Sequence, residues 1–246
     1  MAESAVATPD DVNAFARTYY GMLGSGVYAT PVPLDPVDTA LLLIDIQECI
    51  TKDAFLKTFE AVGMDPEPLM RVLDQIEEDV RATTANIAKI LRMCRATGIR
   101  PIHVRIQSFL PDAADTGALH RSAGMFYPPG SKDSEILPEV APAEGEIVLN
   151  KTCSGIHVGT QIDRVLRNLG ISKVIVTGFY TDQCISTSVR DLSDLGYAVD
   201  LVEDAVGALS PERQAYALQS ISKIYANAEN TATLLERLSQ LPSRVE

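Results

Sequence analysis

The chain is poor in metal ligands and in positive charge. Its three histidines, His103, His120 and His157, are scattered. Its four cysteines, Cys49, Cys94, Cys153 and Cys184, follow no zinc spacing. No metal and no other cofactor is expected. A net charge of −12 argues against nucleic acid and anionic membranes as partners. No apolar run approaches the roughly 20 residues of a membrane span. No Gly-x-Gly-x-x-Gly motif points to a nucleotide ligand. The stretch Met1 to Asp11 has acidic residues and no apolar centre, so no signal peptide is expected. Thiols in such a chain are read as reduced, and the expected compartment is the cytoplasm. Repeats, linkers and low-complexity tracts are absent.

What is present fits one globular domain. The 246 residues are 46% hydrophobic and 22% charged, enough for a sizeable core. Residues 1–37 read as an N-terminal arm with a short helix near Asp11 to Leu23, then a Pro-rich approach. Residues 38–240 read as the domain. Thr39 to Ile44, Pro101 to Ile106, Ile147 to Leu149, Ile171 to Thr177, Tyr197 to Val202 and Lys223 to Ala226 are predicted strands. Helices are predicted over Leu69 to Ala96, Thr160 to Leu169, Ile185 to Leu195, Pro211 to Ser222 and Ala232 to Leu238. Strands alternating with helices give an α/β class: a mostly parallel sheet between helical layers. Residues 107–145 hold no long periodic segment, and a loop of that length is usually functional.

In an open parallel sheet, ligands sit at the carboxyl ends of the strands. Asp45, Lys151 and Cys184 each fall just past such an end. Thr181 and Asp182 are the residue types that cap a helix, and Cys184 would lie in its first turn. Free N–H groups and the helix dipole there would favour the thiolate. Each residue alone has an ordinary reading: a cap, a solvated charge, a buried small hydrophobe. Together they supply a base, a cation and a nucleophile.

The segments LLLIDIQ (41–47), LNKTCSG (149–155) and the stretch TGFYTDQC (177–184) with its following helix carry a more specific signal. In order and spacing they resemble the isochorismatase-like cysteine hydrolase superfamily, and the resemblance runs over about residues 38 to 235. It implies a single-domain three-layer αβα fold with a six-stranded sheet and a triad of Asp45, Lys151 and Cys184. It also implies an oxyanion hole from the backbone N–H groups of Tyr180 and Cys184, and a cis peptide between Phe179 and Tyr180. Two departures stand out. Ser154-Gly155-Ile156 replaces the aromatic that commonly follows the Lys. Around His103 there is no His-x-x-His, the pair that holds the metal in the nicotinamidase branch.

Members that cleave isochorismate lack the cysteine, so its presence here favours C–N bond cleavage. The expected activity is hydrolysis of a small linear amide, ureide or carbamoyl compound through a thioester. Gln47, Arg105, Ser154, Phe126, Tyr127 and Phe179 are the candidate substrate-binding residues. A ring or aromatic carboxamide is the alternative substrate, and a non-catalytic or redox-sensing protein on the same fold is the alternative function. The arm, and the habit of the superfamily, suggest a homodimer or homotetramer.

Overall fold

The computed structural model describes residues 7–23 and 31–243. The order is α1 (Pro9–Leu23), β1 (Thr39–Ile44), α2 (Lys52–Ala61), α3 (Met70–Thr97), β2 (Arg100–Ile106), α4 (Ala118–Ser122), β3 (Ile147–Lys151) and α5 (Ile156–Gly159). It continues with α6 (Ile162–Asn168), β4 (Lys173–Phe179), α7 (Ser186–Asp194), β5 (Ala198–Gly207), α8 (Pro211–Ile221), β6 (Asn227–Glu229) and α9 (Thr231–Ser239). Six strands form one parallel sheet in the order β3-β2-β1-β4-β5-β6. Helices cover both faces, which accounts for the apolar run Ala40 to Ile44 in β1: all six residues of the strand are buried.

Side chains alternate across the pleat. Leu42 and Ile44 join one core with Ile102, Val176, Ile185 and Val189. Leu41 and Leu43 join the other, with Ile87, Leu91 and Cys94 of α3 and Leu234 of α9. Each such leucine or isoleucine contributes about 1.5–3 kcal/mol on burial. The long helix α3 ends at Gly98, whose φ of 81° is the left-handed cap that glycine adopts most easily.

Several local expectations are corrected. The last strand is Asn227–Glu229 and not 223–226, because α8 ends at Ile221 and Lys223 turns the chain with φ 64°. Asn227 then pairs with Asp200 of β5. The strand read over 197–202 runs on to Gly207. The 107–145 segment contains α4 and two short 3-10 turns. Thr181 and Asp182 do not cap α7. A π-helical turn, Thr181–Ile185, precedes that helix, Tyr180 stands at its N-cap, and no side chain caps it. Asp182 pairs instead with Arg213 at the start of α8. In α1 the side chains of Val12, Phe15, Tyr19 and Met22 are exposed.

Candidate active site

The strand order reverses direction between β1 and β4, so a crevice opens at their carboxyl ends. Asp45 leaves β1 with φ 55°, a conformation Asp tolerates better than most residues. Its N–H donates to the Val104 carbonyl at 2.8 Å, which holds the turn. On the neighbouring strand Gly178 adopts φ 123° opposite Ile44. A Cβ at 178 would sit 1.9 Å from the Ile44 carbonyl oxygen, so only glycine lets β4 approach β1 this closely. The Phe179–Tyr180 peptide is cis. The π-helical turn that follows carries Cys184, which is 6% exposed.

Lys151 ends β3, two strands from β1, and its long side chain crosses the intervening width. It is fully buried. Its Nζ lies 2.8 Å from Asp45 Oδ2 and donates to Cys184 Sγ at 3.4 Å and to the Cys153 carbonyl at 3.1 Å. Three donors thus meet three acceptors, which makes a buried ammonium tolerable. Ser154 Oγ donates to the same sulfur at 3.5 Å.

Electrostatics define the resting state. Burial alone would depress Lys151, but the Asp45 charge and Cys184 outweigh it and the amine stays an ammonium. Burial pushes Asp45 upward against the pull of Lys151, so its carboxylate is more basic than an exposed one. The Cys184 thiol is pushed up to about 12, first by burial and then by the Asp45 charge. The pull of the helix start toward a thiolate is outweighed: desolvation and a neighbouring anion favour the thiol.

Above these residues lies a cavity of about 360 Å³. Of the sequence candidates, Ser154, Phe126, Tyr127 and Phe179 line it, and so do Asp45 and Cys184. Gln47 and Arg105 do not. Gln47 is fully buried, with its amide paired to the Ile106 backbone N–H and C=O, stitching β1 to β2. Arg105 is spent on Asn150, Gln107 and the Ser134 carbonyl. Both sit near the right strand ends but are turned into the scaffold.

The cavity also takes residues beyond the substrate-binding candidates. Cys49, Ile50 and Phe55 come from the short turn and α2 that follow β1, and His120, Met125 and Asp133 from the long loop. Cys49 and Tyr127 act on one another electrostatically there, and burial pushes that thiol up and keeps it protonated. His120 is 4% exposed, bonds the Thr152 backbone and is lowered by burial to about 4, so its ring is neutral. For the residues of the 107–145 segment, its excess length over any simple connection was the only sequence signal. Cys153 does not line the cavity; its sulfur donates to the Gly155 carbonyl.

The isochorismatase domain pattern matches residues 39–233, which takes in the whole sheet and every residue of the cluster. The chain belongs to the isochorismatase family of hydrolases. Ureidoacrylate amidohydrolase of Rhizobium rhizogenes is 27% identical over 202 residues, covering 74% of this chain and 75% of that protein. The fold is shared with a cysteine hydrolase from Pseudomonas syringae pv. phaseolicola, at TM-score 0.70 and 21% identity over 86% of this chain and 97% of that one. It is shared too with N-carbamoylsarcosine amidase from Thermoplasma acidophilum, at TM-score 0.57 and 24% identity over 79% and 96% of the two chains. Among the described residues no helix is long and apolar enough to cross a membrane.

Proposed function

We propose that the chain is a cysteine-dependent amidohydrolase that cleaves the C–N bond of a small amide, ureide or carbamoyl compound. One observation carries this reading: the Lys151 ammonium lies between the Asp45 carboxylate and the Cys184 sulfur, at 2.8 and 3.4 Å, at the floor of a cavity.

In the proposed cycle, substrate places its carbonyl carbon over Sγ. Asp45 takes the thiol proton as Cys184 attacks, so the resting thiol ionises only as charge moves onto the substrate. Lys151 holds the charge on both partners. The backbone N–H groups of Tyr180 and Cys184 receive the oxyanion, each such donor being worth about 3–4 kcal/mol. Asp45 passes the proton to the departing nitrogen, the C–N bond breaks, and a thioester remains. Asp45 then deprotonates a water, which attacks the thioester; the acid leaves and the thiol is restored. The net reaction is amide plus water to acid plus ammonia or amine.

The named activity of the Rhizobium rhizogenes relative supports the amide class. The apolar wall of Ile50, Phe55, Met125 and Phe126 favours a second reading, a ring or aromatic carboxamide. The four free cysteines support a cytoplasmic setting, and a homodimer or homotetramer is the assembly we propose. Ammonia release from a panel of ureides, carbamoyl compounds and carboxamides tests the activity. Turnover that vanishes in Cys184→Ala supports the reading; turnover that survives in that variant overturns it.

A further inference from the structure

The charge of the cavity narrows the substrate class. It is lined by two carboxylates, Asp45 and Asp133, and among its described lining residues there is no arginine or lysine. Asp45 is balanced from beneath by Lys151, which is fully buried and saturated by its three acceptors. Asp133 has no such partner. Its half-buried carboxylate acts electrostatically on Cys49 and Tyr127, both in the cavity wall. Among the described residues it makes no ion pair.

Four cations on flanking segments are committed elsewhere. Lys132, next in sequence, reaches Glu48 at 3.6 Å. Arg105 is held by Asn150, Gln107 and the Ser134 carbonyl. Arg121 donates to the Ala114 and Thr116 carbonyls, and Arg213 to Asp182. His120 bonds the Thr152 backbone and supplies no charge. A substrate carboxylate in this cavity would therefore meet Asp133 with nothing to neutralise it, in a partly desolvated space where like charges repel strongly.

We infer that the site rejects anionic substrates and takes an amide with an apolar body and an ammonium or other donor group, with Asp133 as the specificity-determining residue. This rests on the amidohydrolase reading above and separates the chain from enzymes whose amide substrates carry a free carboxylate. The apolar wall would hold the body, and Asp133, beside Cys49 and Tyr127, would accept from the donor group.

Two measurements test it. In the first, the Cys184 thiol is alkylated with iodoacetamide and with iodoacetate, each rate normalised to that of a free small thiol. The neutral reagent should be favoured about tenfold or more over the anionic one, and Asp133→Asn should bring the ratio close to one. In the second, N-carbamoyl compounds on one apolar skeleton ending in an amine, an amide or a carboxylate are compared by ammonia release. The expected order of kcat/KM is amine, amide, carboxylate, compressed in Asp133→Asn and reversed in Asp133→Lys. Equal or faster alkylation by iodoacetate, or preferred turnover of the carboxylate, overturns the inference. Selective alkylation without turnover of any compound overturns the amidohydrolase reading and leaves the charge selectivity standing.

Discussion

Two buried ionic clusters are built into this sheet, and they are balanced differently. At the end of β1 one ammonium faces one carboxylate and one thiol, and the cluster opens on a cavity. Toward the β6 edge, Arg237 of α9 faces two carboxylates, Asp200 and Glu229, and also the Val32 carbonyl. Asn227 supplies a further donor to Asp200 at 2.8 Å. The second cluster ties α9, β5, β6 and the approach to β1 together, and none of its charged members lines the cavity beside Cys184. One positive charge for two carboxylates leaves Glu229 short of compensation, and burial pushes it up to about 7. In the proposed cycle the first cluster passes a proton between Asp45 and Cys184, whereas the second uses charge to hold elements in place.

The largest effect expected is at the first cluster. Cys184→Ala should lower kcat by about 10⁴-fold or more while leaving the unfolding midpoint near that of the parent chain. Lys151→Met should abolish turnover as well, and ammonia release measured beside a urea melt separates lost chemistry from lost fold. At the second cluster the emphasis inverts. Arg237→Met leaves two buried carboxylates without a cation and should cost about 3–5 kcal/mol in urea unfolding, with activity per folded molecule retained. An Arg237→Met variant of parental stability would break the comparison.

Gly178→Ala tests the approach of the strands that frames the first cluster. The added methyl meets the Ile44 carbonyl, and stability should fall by about 3 kcal/mol or more. Smaller still are the pH effects, whose signs oppose one another. Glu229 titrates near 7 in the fold against an ordinary 4.5, so its neutral form is favoured by folding. That contribution, about 2 kcal/mol, is complete below pH 4.5 and is lost as pH rises through 7. Glu229→Gln should flatten stability over this window. His120 titrates near 4 against an ordinary 6.5. Its contribution is complete above 6.5 and is lost as pH falls to 4, a slope that His120→Gln should remove. Exhaustive chelation is the smallest case, with activity expected to stay unchanged.

Residues whose roles follow from local pattern were the legible ones. The LLLI run followed by Asp45 announces a doubly covered strand and a side chain at its carboxyl end, because an uninterrupted apolar run needs helices on both faces. Cys94 lies on the long helix predicted over Leu69 to Ala96 and is fully buried in the core. Gln47 and Arg105 were misplaced because position near a strand end does not say which way a side chain turns. Asp182 was misread as a cap because its partner, Arg213, lies 31 residues away.

By itself the sequence determined the alternating α/β pattern, the apolar strands, the placing of Asp45, Lys151 and Cys184 at or past the carboxyl ends of strands, and, through its motifs, the superfamily. These depend on periodicity and spacing, which are local. Only the tertiary structure decided that Lys151 reaches across the sheet to both Asp45 and Cys184, and that the resting cysteine is a protonated thiol. It also decided that His120 and Asp133 join the cavity wall and that a second ionic cluster stands on Arg237. Each of these depends on desolvation and on distances between groups far apart in the chain, and neither quantity exists until the sheet has closed its order and the loop has folded over it.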